Sequence, residues 1–235
     1  MSKTPIAASA LAFALSLLFS ALPSAADVTP HGGMMRYPAV SAERVAFVYA
    51  GDIWTVGRDG GTATRLVAPA GMETRPRFSP DGDEIAFVGN YEGDTDLYVI
   101  DVDGGIARRV THHPANEILQ QWTRDGRLLF ASSAEGAPRG NLQLYTVSPE
   151  GGLPEKLPVE YGAMAAIDDD GRWLAFTPWT RDHRTWKRYR GGMSTDLWLF
   201  DLETFESERL TDWEGTDTQP MWYDGVIYYL SDQGP

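Results

Sequence analysis

One pattern occurs four times in this chain and begins a fifth time, and nothing else in it restricts the fold so tightly. A turn leads into an apolar strand, a second strand carrying an aromatic residue follows, and a glycine-rich turn leads to a short basic and apolar ending. The first strands read Arg44-Val45-Ala46-Phe47-Val48, Glu84-Ile85-Ala86-Phe87-Val88, Arg127-Leu128-Leu129-Phe130-Ala131, Arg172-Trp173-Leu174-Ala175-Phe176 and Val226-Ile227-Tyr228-Tyr229-Leu230. Their anchors Phe47, Phe87, Phe130, Phe176 and Tyr229 are 40, 43, 46 and 53 residues apart. The second strands carry Asp52-Ile53-Trp54, Asp96-Leu97-Tyr98, Gln143-Leu144-Tyr145 and Asp196-Leu197-Trp198. Asp59-Gly60-Gly61, Asp103-Gly104-Gly105 and Glu150-Gly151-Gly152 then supply the positive φ of tight turns, with Glu203-Thr204 in the fourth copy. The units close on Arg65-Leu66, Arg109-Val110-Thr111, Lys156-Leu157 and Arg209-Leu210-Thr211.

Short β-branched and aromatic runs, separated by Gly, Asp and Pro with no long helical period between them, describe antiparallel meanders. A four-stranded unit of this length has the size of one propeller blade. Such a blade cannot bury both its faces alone, so blades must stack around an axis. The chain is therefore predicted to be all-β, a β-propeller of four-stranded antiparallel blades. They fall at about 35–68, 74–112, 117–158 and 162–212, with a partial blade at 218–235 and an N-terminal tail at 27–34. Trp54 and Trp198 read as the core anchors of their blades. The sequence stops after the second strand of the fifth repeat, which predicts an N-terminal fragment of a longer protein, with the propeller 35–235 incomplete.

The first residues do not follow the repeat. Lys3 precedes an apolar stretch from Ile6 to Phe19, and Pro23 with Ser24-Ala25-Ala26 follows. Charge, apolar core and small-residue site in that order predict a signal peptide over 1–26, cleaved after Ala26, and export to the periplasm. The alternative is an uncleaved anchor, against which stands the lack of a basic stop-transfer flank. No later stretch suggests a transmembrane span. The formal charge of −13 is set against nucleic acid and anionic lipid as partners. The absence of cysteine excludes disulfides, thiolate metal sites and a lipid-modified cysteine.

Catalytic signatures are missing: there is no Gly-x-Ser-x-Gly, His-Glu-x-x-His, phosphate-binding Gly-rich loop or EF-hand loop. Gly192-Met193-Ser194-Thr195-Asp196 lacks the second glycine, and Ser194 reads as a turn residue. His112-His113 precedes Pro114 in a loop, while His31 lies in the tail and His183 in an insertion, so none reads as a metal ligand. Asp168-Asp169-Asp170-Gly171 occupies the position of Ser79-Pro80-Asp81-Gly82 and Thr123-Arg124-Asp125-Gly126, a strand-linking turn rather than a calcium loop. No cofactor, metal or catalytic residue is expected. The one departure from the repeat is the basic, aromatic insertion 180–192 in the fourth unit. Its Arg184, Trp186, Lys187, Arg188, Tyr189 and Arg190 could hold a carboxylate or a peptide by forked hydrogen bonds and stacking. The plainer alternative is a packing loop whose arginines pair with acidic side chains.

Arg77-Phe78-Ser79-Pro80-Asp81-Gly82, Ile85-Ala86-Phe87 and Asp96-Leu97-Tyr98-Val99 resemble the TolB-type propeller repeat. Trp186-Lys187-Arg188-Tyr189-Arg190-Gly191-Gly192 before Asp196-Leu197-Trp198, and the lead of Pro38-Ala39-Val40-Ser41 into Arg44-Val45, resemble the propeller that opens tricorn proteases. The resemblance runs from about Met35 to Asp232. It implies a six-bladed propeller, of which about four and a half blades are present, ahead of a seven-bladed propeller, a PDZ-like module and a serine-peptidase core beyond Pro235. It also implies peptide substrates and a homo-oligomer. Family members that hold a substrate's C-terminal carboxylate use paired arginines near the third blade. The matching Pro114-Ala115-Asn116-Glu117 has none, so that anchor does not carry over. An exported TolB-like scaffold without enzymatic activity is the alternative.

Overall fold

The computed structural model describes residues 31–67, 71–135, 141–185 and 189–234. The predicted signal peptide lies outside them. The chain divides into two units, Met1–Met34 and Met35–Pro235. In the first, Gly32–Met34 forms one 3-10 turn, closed by the Met34 N–H donating to the His31 carbonyl at 2.9 Å.

The second unit is a succession of antiparallel sheets. Strands β1 (Arg36–Val40), β2 (Arg44–Tyr49), β3 (Asp52–Gly57) and β4 (Thr64–Arg65) form the first in chain order. β5 (Met72–Phe78), β6 (Glu84–Asn90), β7 (Asp96–Asp101) and β8 (Arg108–Arg109) form the second, again in chain order. The third holds β9 (Glu117–Trp122), β10 (Leu128–Ser132), β11 (Gln143–Val147) and β12 (Glu155–Lys156); the fourth holds β13 (Met164–Ile167), β14 (Trp173–Thr177), β15 (Trp198–Asp201) and β16 (Ser207–Arg209). A hairpin of β17 (Asp217–Tyr223) and β18 (Val226–Ser231) begins a fifth. These are four full blades and a partial one.

Turn chemistry explains the hairpins. Ala50-Gly51 and Asp224-Gly225 join their strands with both residues at positive φ, which matches the twist of a two-residue hairpin. The Gly-Gly pairs 60–61, 104–105 and 151–152 are likewise at positive φ. The fourth unit has no glycine there and Phe205 takes that conformation, at φ 63°. Asp168 accepts from the N–H groups of Arg172 (2.8 Å) and Trp173 (2.9 Å), so its acidic run is a strand-linking turn.

Register and period 2 place each core residue. Phe47 faces Trp54 across β2 and β3, as Phe87 faces Tyr98, Phe130 faces Tyr145 and Phe176 faces Trp198. Phe87 and Tyr98 point back to the first blade, into a cluster with Ala46, Val48 and Ile53. Phe130 and Tyr145 point back to Ala86, Val88, Leu97 and Val99 of the second. Phe176 points back to Leu129, Ala131 and Leu144 of the third, with Trp198 packed at the margin. At each of the three interfaces between full blades, the aromatic pair of one blade thus interlocks with the aliphatic face of the blade before it.

This arrangement corrects one expectation. Trp54 and Trp198 are only half-buried, whereas the preceding residues on the opposite face, Ile53 and Leu197, are 0 % exposed, as are Leu97 and Leu144. Trp54 lies on the aromatic face of the first blade, which has no preceding blade among the described residues. It is covered instead by its edge contact with Tyr49, whose carbonyl accepts from the indole N–H at 3.2 Å.

Candidate functional site

The first strand of each blade is the innermost. β1 lies beside β5, β5 beside β9, β9 beside β13 and β13 beside β17. The five belong to separate sheets, so side chains lace them together. Arg77 Nε donates to the Gln120 carbonyl at 2.7 Å. The Gln121 amide donates to the Ile167 carbonyl (3.0 Å) and accepts from its N–H (2.7 Å), as a paired strand would. Glu73 accepts from the Ile53 N–H at 3.1 Å and the Tyr91 hydroxyl at 2.9 Å.

These strands border an open cavity of about 730 Å³ whose wall includes Tyr37, Arg75, Arg77, Gln120, Trp122 and Gln219. Three of these residues are placed by one device. Tyr37-Pro38, Arg75-Pro76 and Gln219-Pro220 each fall where the register of the inner strand slips. Tyr37, Arg75 and Gln219 take φ values of 50°, 55° and 53°, a left-handed backbone that few non-glycine residues adopt. Proline suits such a bulge because it has no N–H to give to the ladder. Sequence reasoning missed this set; its signal was Pro38, Pro76 and Pro220 recurring within apolar strand patterns, which marks a bulge or an edge.

The cavity inverts the charge of the molecule. Its charged lining residues are Arg75, Arg77 and Asp81, in a chain of formal charge −13. The Asp81 carboxylate already accepts from the Ser79 hydroxyl. Burial, and secondarily the neighbouring Arg75, lower Arg77 to about 10, and burial also lowers Arg75. Both stay cationic at neutral pH. Arg75 stacks on the Tyr37 ring, 5.3 Å from its centroid.

Of the insertion residues singled out in the sequence, Trp186, Lys187 and Arg188 lie outside the described residues. Arg184 donates to the Thr216 hydroxyl at 2.8 Å and lies 3.5 Å from Asp232. Arg190 pairs with Asp232 at 3.2 Å and covers the Trp213 ring at 4.7 Å. The Tyr189 carbonyl accepts from the Ser194 hydroxyl at 3.4 Å. Asp182 accepts from Thr218 (3.0 Å) and Gln219 (2.8 Å). The structure therefore brings Arg184 and Arg190 to one carboxylate of the fifth unit, and it brings Asp182 to Thr218 and Gln219 of β17.

The model of the tricorn protease N-terminal beta propeller domain matches residues 32–234. The chain belongs to that family. Tricorn protease homolog 1 of Streptomyces coelicolor is 33 % identical over 201 residues, covering 84 % of this chain and 19 % of the relative. A crystal structure of the tricorn protease superposes with a TM-score of 0.75 at 22 % identity, over 85 % of this chain and 20 % of that one. A putative TolB from Agrobacterium tumefaciens superposes with a TM-score of 0.63 at 19 % identity, over 79 % and 65 %. The tricorn propeller chain thus has a TolB-like fold, and it spans under a fifth of the length of the tricorn protease homologs it matches.

Proposed function

We propose that this chain is the N-terminal propeller segment of an exported, tricorn-like serine peptidase, which guides peptides through its axial channel and supports assembly of a homo-oligomer. The catalytic serine, histidine and glutamate belong in this reading to a core outside the chain, and the parent protein acts in the periplasm once the signal peptide is cleaved after Ala26. The observation that carries the reading is the family match across 32–234, joined to a cavity of about 730 Å³ bordered by the inner strands. Peptide contacts fall first to the channel wall and second to the insertion at Arg184, Trp186, Lys187, Arg188, Tyr189 and Arg190.

The test is the mass and reactivity of the native polypeptide. An antibody against 35–234 should detect, in the periplasmic fraction, a species several times heavier than 25.9 kDa that a serine-directed probe also labels. A species near that mass without label would overturn the reading, leaving a TolB-like scaffold that binds other proteins.

A further inference from the structure

Arg75 is the least satisfied cation of the channel. Among the described residues its guanidinium has no hydrogen-bond acceptor and no ion-pair partner, and its one specific contact is the Tyr37 ring. Stacking occupies a face of the guanidinium and leaves the N–H groups in its plane free. Arg77 differs, since its Nε and Nη1 groups donate to the carbonyls of Gln120 (2.7 Å) and Pro76 (2.8 Å). The acid whose charge acts on Arg75 is Asp182, and its two oxygens are engaged by Thr218 and Gln219.

We propose that the channel holds an anion-binding site on Arg75, which takes the carboxylate of a ligand slender enough to enter the cavity. Three observations converge. The backbone at Arg75 is held at φ 55°, a strained conformation that the bulge repeats at Tyr37 and Gln219 and that turns all three residues to the cavity. A free guanidinium fork in a partly desolvated wall matches a carboxylate, which can accept two parallel N–H bonds. The other charged groups of the wall, Arg77 and Asp81, are engaged by backbone carbonyls and by the Ser79 hydroxyl, and the Gln120 amide is held by Ile118, Ala163 and Ala165, which leaves one open cation for a singly charged group. The two arginines make the potential locally positive in a low-dielectric wall, and this local field acts against the net negative charge of the chain.

The carboxylate can come from an acidic side chain, from the end of a peptide or from a free organic acid. Calorimetric titration of the protein separates them. The ligands are an N-acetylated, C-amidated tetrapeptide with one internal glutamate, its glutamine twin, an N-acetylated tetra-alanine with a free C-terminus, and glutarate. At least one of the carboxylates should bind while the glutamine twin does not, and the strongest names the source. Arg75→Gln should weaken that binding by roughly tenfold or more, the weight of a charge-assisted hydrogen bond. Asp182→Asn, which removes the opposing charge while the Gln219 amide can turn over to keep its bond, should tighten it. Equal binding of the glutamine twin, no carboxylate binding to the folded protein, or unchanged affinity in Arg75→Gln overturns the site. Should that variant not fold, an absent gain in Asp182→Asn overturns it. The site stands on the channel's own chemistry, so a failed serine-probe experiment leaves it intact, and its own failure leaves the peptidase reading intact.

Discussion

The carboxyl of Glu117 is enclosed between the second and third blades, where the Thr111 hydroxyl donates to it and the Leu97 N–H also points at it. Burial outweighs these bonds and raises its pKa from 4.5 to about 7, with Asp96 adding repulsion. The folded state therefore holds its proton more tightly than the unfolded chain. This group costs no stability below pH 4.5, an increasing amount between there and pH 7, and a constant amount above, about 3 kcal/mol at the most. Asp201 acts lower and with the opposite sign: hydrogen bonds from Arg172 hold it near 2, so its contribution is lost only under strongly acidic conditions. We expect the urea midpoint of the protein to fall between pH 5 and 8, and Glu117→Gln to flatten that slope and raise the midpoint at pH 8. A wild-type slope retained in the variant would contradict the assignment. The same scale accounts for the basic ending of each unit. Arg65, Arg109 and Arg209 pair across the strand with Asp52, Asp96 and Asp196, at 3.2, 2.7 and 2.8 Å. In the third unit Gln143 replaces the aspartate, and Lys156 turns to Glu135 at 2.8 Å.

A strand with two buried faces contributes more through the residue its next neighbour covers than through its largest side chain. Ile53 and Trp54 are adjacent in β3, yet the second blade covers only Ile53 completely. Truncating Ile53 to alanine should cost about 2 to 5 kcal/mol, the range for deleting a fully buried aliphatic side chain. Trp54→Ala should shift the denaturant midpoint less, although it removes more atoms, and the reverse order would show that the first blade's aromatic face is covered in solution. This is also where sequence reading reached its limit. The strands and hairpins were legible because they rest on local signals, alternation and glycines such as Gly51 and Gly104 at positive φ. Which of two consecutive apolar residues is fully enclosed depends on a neighbour some 40 residues away, so side-chain size alone points to Trp54 where the structure encloses Ile53. The channel was legible in part: Pro38, Pro76 and Pro220 stood in the strands, but that Arg75 has no acid partner among the described residues depends on where Asp182 ends, more than a hundred residues later.

Across the whole propeller segment, blades communicate through a small number of polar staples laid over the apolar interlocks. The fourth and fifth units show this most clearly, because a single carboxylate, Asp232, gathers Arg184 (3.5 Å), Arg190 (3.2 Å), the Trp213 indole N–H (2.9 Å) and the Thr216 N–H (2.9 Å). These partners favour its charged form strongly enough to lower its pKa despite partial burial. Arg184 and Arg190 of the insertion thus tie the fifth hairpin to the fourth blade, while apolar residues of that hairpin, including Tyr228 and Leu230, are exposed. Removing the acceptor should release the hairpin before anything else. In Asp232→Ala we expect amide hydrogen exchange of β17 and β18 to accelerate by about tenfold or more, since breaking a partly buried charged network forfeits on the order of a few kcal/mol locally. The strands β6, β7, β10 and β11, whose cores lie between complete blades, should keep their protection. Uniform acceleration across all blades would mean that the staple supports the entire segment, and no acceleration would mean that the β13 to β17 contact alone holds the hairpin in place.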